Sequence, residues 1–203
     1  LLASAEPGAR EALTAGQTAS NAAYSGYLQA RGLMQRHDRP GHAQAAIALL
    51  EKAVEEDPDY ALAHPALAEA HWRRYEETRD AEEVGLARES AQRALALNQR
   101  LGPVYVTLAM LERGTGHPGE AVQHAEKALA LDPLSADAHG ERARALEALG
   151  DMLGAEEAYR QAVRLRPNDW SAFNQLGAFL NARGRQAGAR EAFARVTQLT
   201  PDN

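Results

Sequence analysis

Three stretches of the chain can be laid on one another at an offset of 34 residues without a gap. Gly116, Gly150 and Gly184 then coincide, as do Ala121, Ala155 and Ala189, Leu131, Leu165 and Leu199, and Pro133, Pro167 and Pro201. A fixed period of that length marks a stacked repeat, in which each unit is too small to bury its own apolar face and does so against its neighbours. Such a chain offers an extended surface rather than one deep pocket, so the expectation is protein binding before catalysis.

Each gapless copy splits into two helical patterns around a glycine turn. In the third, Phe173, Leu176, Phe179 and Leu180 follow helical spacing before Gly184, and Ala189, Phe193, Val196 and Leu199 then mark one face of a second helix that Pro201 stops. Upstream the same frame holds with insertions. Ala68 and Ala87 are 19 apart, against 12 for Ala109 and Ala121, so seven residues have been added around the turn YEETRDAEEVG, with Thr78 or Asp80 as N-cap of the next helix. If Ala30 is the counterpart of Ala109, the first unit carries a turn, RHDRPGHAQ, four residues longer than the gapless copies. The expected layout is a linker with one short helix, PGAREALTA, over residues 1–20, closed by Gly16. A repeat domain over 21–203 follows, with units at about 24–60, 61–101, 102–135, 136–169 and 170–203. No strand pattern is found, and abundant Ala favours an all-α fold.

The charge balance narrows the partners. A formal net charge of -6, with basic residues interleaved among acidic ones, argues against nucleic acid, which needs a concentrated basic face. The chain has no Cys, which excludes disulfides and thiolate sites but leaves the compartment open; the cytoplasm is the expectation. No run of 18 apolar residues exists to span a membrane. The opening LLASAEPGAREALTAGQ lacks the form of a signal peptide and reads as part of a longer protein.

The repeats resemble the tetratricopeptide family over about 180 of the 203 residues. That family has a large residue, a Leu and a small residue in its first helix, a turn glycine, and then Ala, an aromatic, Ala and Pro. The third copy matches with Phe173, Leu176, Gly177, Gly184, Ala189, Phe193 and Pro201, and has Val196 in place of the second Ala. The first gives Tyr105, Leu108, Ala109, Gly116, Ala121, Ala125, Ala128 and Pro133. The middle copy has His139, Ala143, Gly150, Ala155, Tyr159, Ala162 and Pro167, but Arg142 where Leu belongs. The resemblance implies a right-handed α-solenoid of five antiparallel helix pairs whose first helices line a peptide-binding groove. Two segments, YALAHPALAEAHWRRYEETRD and PNDWSAFNQLGAFLNARGR, also resemble repeats of bacterial multidomain signalling proteins. That implies, as an alternative, a regulatory or oligomerising region of a larger enzyme such as a Ser/Thr kinase.

The groove positions are the first-helix residues turned away from the stacking core: Tyr27, Arg31, Trp72, Arg73, Met110, Arg113, Arg144, Asn174, Gln175 and Asn181. Aromatic and Arg side chains are the usual anchors of interfaces, and Asn or Gln can pair with a peptide backbone. Trp72 stands beside the seven-residue insertion and can either pack against it or meet a partner. The Lys/Asn/Arg clamp by which some family members hold a C-terminal carboxylate is not supplied, since the matching positions are Val106, Met110, Asp137 and Glu141.

Other motifs read as structure. GTGHPG has the spacing of a dinucleotide fingerprint but follows a helix instead of a strand, and Gly116 is its repeat-turn glycine. His64 and His71, like His117 and His124, are seven apart, about 10 Å along a helix and too far for one metal ion; His37 and His42 share a loop. No catalytic residue, cofactor or metal is expected. The uncapped face of Phe193, Val196 and Leu199 calls for further chain or a homodimer contact.

Overall fold

The computed structural model describes residues 16–36 and 39–200. Among them the regular elements are helices, with no strand. In chain order they are α1 (Asn21–Met34), α2 (His42–Glu56), α3 (Ala63–Thr78), α4 (Ala81–Leu97), α5 (Gly102–Gly114), α6 (Pro118–Leu131), α7 (Ala136–Leu149), α8 (Met152–Leu165), α9 (Trp170–Ala182) and α10 (Gln186–Leu199). Contacts divide the chain into two compact units, Leu1–Leu111 and Glu112–Asn203. The short helix expected within residues 1–20, the loop position His37 and the terminator Pro201 lie outside the described residues.

The turns show how the repeat is punctuated. Gly41, Gly116, Gly150 and Gly184 all have positive φ, between 70° and 90°, a left-handed conformation that an L side chain resists. Gly150 caps α7, its N–H donating to the carbonyls of Glu147 and Leu146. A Cβ added there would touch nothing within 4 Å, so Gly150→Ala is expected to cost about 1 kcal/mol through the backbone alone. Thermal unfolding checks this, and an unchanged midpoint would show that the turn relaxes out of the left-handed region.

The second pair solves the same turn differently. α3 and α4 are 16 and 17 residues long, against 13 and 14 in α9 and α10, and only Arg79 and Asp80 separate them. The seven added residues therefore lengthen both helices instead of widening the turn, because the sequence stays amphipathic on both sides. Buried His71 of α3 reaches Glu83 of α4 at 2.6 Å, and Trp72 and Val84 join the same apolar cluster. Asp80, one of the two expected caps, accepts from Glu82 N. Arg79 takes the left-handed turn position at φ 62°, with its guanidinium 5.7 Å from the Tyr75 ring centroid. The first pair instead has a long connection, from Gln35 to Gly41, as its sequence indicates.

The core is built largely from alanine, with a few large side chains wedged between helices. In the first unit Leu50, Ala30, Ala46 and Tyr60 are at most 1% exposed and share one cluster with Ile47 and Met34. In the second unit Leu146, Tyr159, Leu176, Phe179 and Leu180 pack around Ala143, Ala155 and Ala189. Gly177 lets the Phe193 ring lie on α9, since a Cβ there would come within 2.8 Å of it.

A recurring bond ties α3, α5 and α7 to the loops before them. The residue at the family's large position donates to the carbonyl six residues upstream: His64 Nε2 to Pro58 at 3.1 Å, Tyr105 hydroxyl to Gln99 at 2.9 Å, and His139 Nε2 to Pro133 at 3.2 Å. Phe173 has no donor. Arg195 supplies it, donating to the Pro167 carbonyl at 3.3 Å while its guanidinium lies 5.6 Å from the Phe173 centroid. In these four repeats the loop carbonyl is thus met by whichever side chain is to hand.

Burial holds the pKa of His64 and of His124 below the usual imidazole value. Depressed folded-state values mean that their contribution to stability is complete above pH ~6.5 and is lost as pH falls through them. Denaturant midpoints are therefore expected to drop between neutral pH and pH ~5, and to drop less in a His64→Gln, His124→Gln variant. Equal pH dependence in the two proteins would refute the assignment.

Candidate functional site

Helical spacing places Tyr24, Tyr27, Leu28 and Arg31 on one face of α1. Tyr24 is 51% and Leu28 49% exposed, so an aromatic and an aliphatic side chain stand open side by side. Tyr27 is turned partly inward, its ring edge-on to Tyr60 at 5.4 Å, and burial raises its pKa. Arg31 bonds Glu69 of α3 at 2.8 Å, which ties one first helix to the next. The sequence reading overlooked Tyr24 and Leu28, although their spacing alongside Tyr27 and Arg31 was the available signal.

Two expected groove residues of the first unit belong elsewhere. Trp72 is 3% and Met110 4% exposed, and both pack in the apolar cluster with Ala87, Ala91 and Leu108. The insertion decides this for Trp72: lengthened α3 brings Tyr75 to 5.1 Å from the indole, and α4 closes over it. Arg73 is half-buried and pairs with Glu76 at 2.9 Å.

The second unit gathers more of the expected residues. Glu141 of α7, only 4% exposed, holds two guanidinium groups, one on each oxygen. Arg113, at the end of α5, donates from Nε to Oε2 at 3.1 Å, and Arg144, one turn along α7, donates from Nη2 to Oε1. Next along the helix, Glu147 accepts the Tyr159 hydroxyl at 2.7 Å; burial, then that bond, raises the Tyr159 pKa. Gln175 of α9 approaches Gly140 of α7, its Oε1 3.9 Å from where a glycine Cβ would stand, and its amide donates to Ser171 at 3.3 Å. Asn174 and Asn181 are exposed on α9. Arg113 and Arg144 are thus brought together by α5 and α7, while Gln175 of α9 meets α7 at Gly140, one turn before Arg144. Asn181 lies further along α9.

Glu141 is the member that sequence reasoning assigned no role except as a mismatch to the carboxylate clamp. Its signal was its position three residues before Arg144, on the same helical face. What the arrangement can do is present fixed hydrogen-bond donors. Two half-buried guanidiniums, each held by one carboxylate oxygen, have lost much of the freedom that binding would otherwise cost. Among the described residues, no three His, Asp or Glu side chains gather as metal ligands, and no helix is long and apolar enough to cross a membrane.

Comparison with known proteins agrees with this architecture. The sequence model of the tetratricopeptide repeat matches residues 106–169 and 153–203. No curated protein matches the chain. Among solved structures it is similar to TTC0263, a thermophilic TPR protein of Thermus thermophilus, at 22% identity and a TM-score of 0.74, over 90% of this chain and 93% of that one. It is also similar to PilW, a type IV pilus biogenesis factor, at 21% identity and a TM-score of 0.65, over 91% and 80%. A third is YrrB, a TPR protein with an unusual peptide-binding site, at 18% identity and a TM-score of 0.52, over 89% and 88%. These likenesses show the fold, a helical solenoid, and they point to no catalytic family.

Proposed function

Because the chain belongs to the tetratricopeptide repeat family, whose fold serves as a scaffold for protein–protein interaction, we propose that it binds a peptide or protein segment along the face of its first helices. The observation that carries this reading is the Arg113–Glu141–Arg144 group beside Gln175. Arginines from two successive first helices are pre-arranged there, and Gln175 of the third meets the same helix at Gly140. Arg and Asn or Gln are suited to such work, the first as an energetic anchor and the others as partners of a peptide backbone. Within the first unit, the exposed pair Tyr24 and Leu28 offers an apolar contact of its own. YrrB, described as having a peptide-binding site, offers a precedent for ligand binding on this fold.

Partner capture by the wild type and by an Arg144→Glu, Asn174→Ala, Gln175→Ala variant tests the proposal. Loss of about tenfold or more in affinity is expected, since one anchor alone is worth ~1.4 kcal/mol or more. Full capture by a still-folded variant would put the partner on another surface.

A further inference from the structure

Resting on that reading, we propose that the arginine pair Arg113 and Arg144 receives the carboxylate of an aspartate or glutamate side chain within the partner's bound segment. Three features point there. The first is pairing: two guanidiniums share the single carboxylate of Glu141, so neither has a carboxylate to itself. The neighbouring carboxylate, Glu147, is turned to the Tyr159 hydroxyl and forms no ion pair with either arginine.

The second is donor surplus. Each guanidinium has five N–H groups, and Glu141 takes one bond from each. Arg144 Nε is enclosed and out of a ligand's reach, so the donors open to a ligand are those of the exposed part of each guanidinium. The third is setting. The arginine side chains are 24% and 26% exposed while Glu141 is 5% exposed. The anchoring carboxylate is thus withdrawn from water and the cations remain within reach of a ligand. An incoming carboxylate would meet charge-assisted donors in a partly dehydrated place, where such bonds are strongest.

Glu141 is the positioning residue, since it fixes where the two cations stand. A phosphate would satisfy the same donors, but the chain's net charge of -6 opposes a polyanion. An acidic side chain in a peptide brings a single planar carboxylate, the shape that guanidinium donors match.

The test is a selection of short randomised peptides, displayed between carrier segments so that no free C-terminus is present, against the folded wild-type chain. Enriched sequences are expected to share one Asp or Glu. Changing it to Asn or Gln in a synthetic, C-terminally amidated peptide should weaken binding about tenfold or more. Arg144→Ala should weaken the wild-type peptide similarly, with little effect on the neutral one, and Arg144→Lys should restore part of the loss. Because the peptide swap leaves the protein untouched, a misfolded variant cannot mimic the result. Enriched peptides with no acidic preference, lost on Asn174→Ala or Gln175→Ala but indifferent to Arg144, would overturn this inference and leave the groove reading standing. Peptides that ignore all these substitutions, or no enrichment at all, would remove the groove reading and this inference with it. Preference for short oligonucleotides over acidic peptides would show the cations to be a phosphate site instead.

Discussion

Replacing Leu50 by alanine is expected to cost about 2–5 kcal/mol of folding stability. The side chain is fully buried on α2, among Ala30, Ala46, Ala53 and Tyr60. The alanines around it have no side chain that can swing inward to refill the space, so a cavity term adds to the lost transfer energy. Urea denaturation should show a lower midpoint at unchanged slope, because the surface exposed on unfolding scarcely changes. Leu153→Ala is the matching control. That leucine is 85% exposed, and its loss is expected to stay within about 0.5 kcal/mol. Similar effects at both sites would mean that the few large residues are not what wedges this alanine-rich core.

Removing the buried carboxylate comes second in size. Glu141→Ala leaves two guanidiniums facing each other without their shared partner, and breaking a fully buried ion pair in this way costs about 3–5 kcal/mol. Here a quarter of each arginine side chain remains exposed, and water offsets part of the loss, so about 1–3 kcal/mol is expected. Arg144→Ala in the Glu141→Ala background should cost less than Arg144→Ala alone, since it relieves the repulsion. Additive effects in that double-mutant cycle would show that the three side chains act independently.

Much of the fold is legible from one period. The turn glycines at 116, 150 and 184 mark left-handed positions that favour glycine, and the alanines at 121, 155 and 189 are the points where neighbouring helices touch, each at most 2% exposed. The insertion was also legible as a count, but not as a shape. Seven residues can widen a turn or extend two helices, and the outcome depended on whether His71, Trp72 and Glu83 found partners across the pair.

The candidate site was legible in part, and the failures have one cause. Trp72 and Met110 occupy first-helix positions turned from the core in an average repeat, yet both are buried. Side-chain direction within a single helix says nothing about how far the neighbouring helix reaches. Arg113 and Arg144 were identifiable as first-helix cations. That they converge on Glu141 was not, because Arg113 and Glu141 come from separate helices, 28 positions apart in the chain.

By itself, then, the sequence determined the class of the chain: a helical repeat with its turns and small contact residues in place. Those features depend on local conformation and on periodic burial, which a linear pattern records directly. Only the tertiary structure decided which polar side chains are held and which aromatic is hidden. A hydrogen bond or an ion pair depends on distances of a few ångströms between separate helices, and such distances follow from the lengths and packing of those helices.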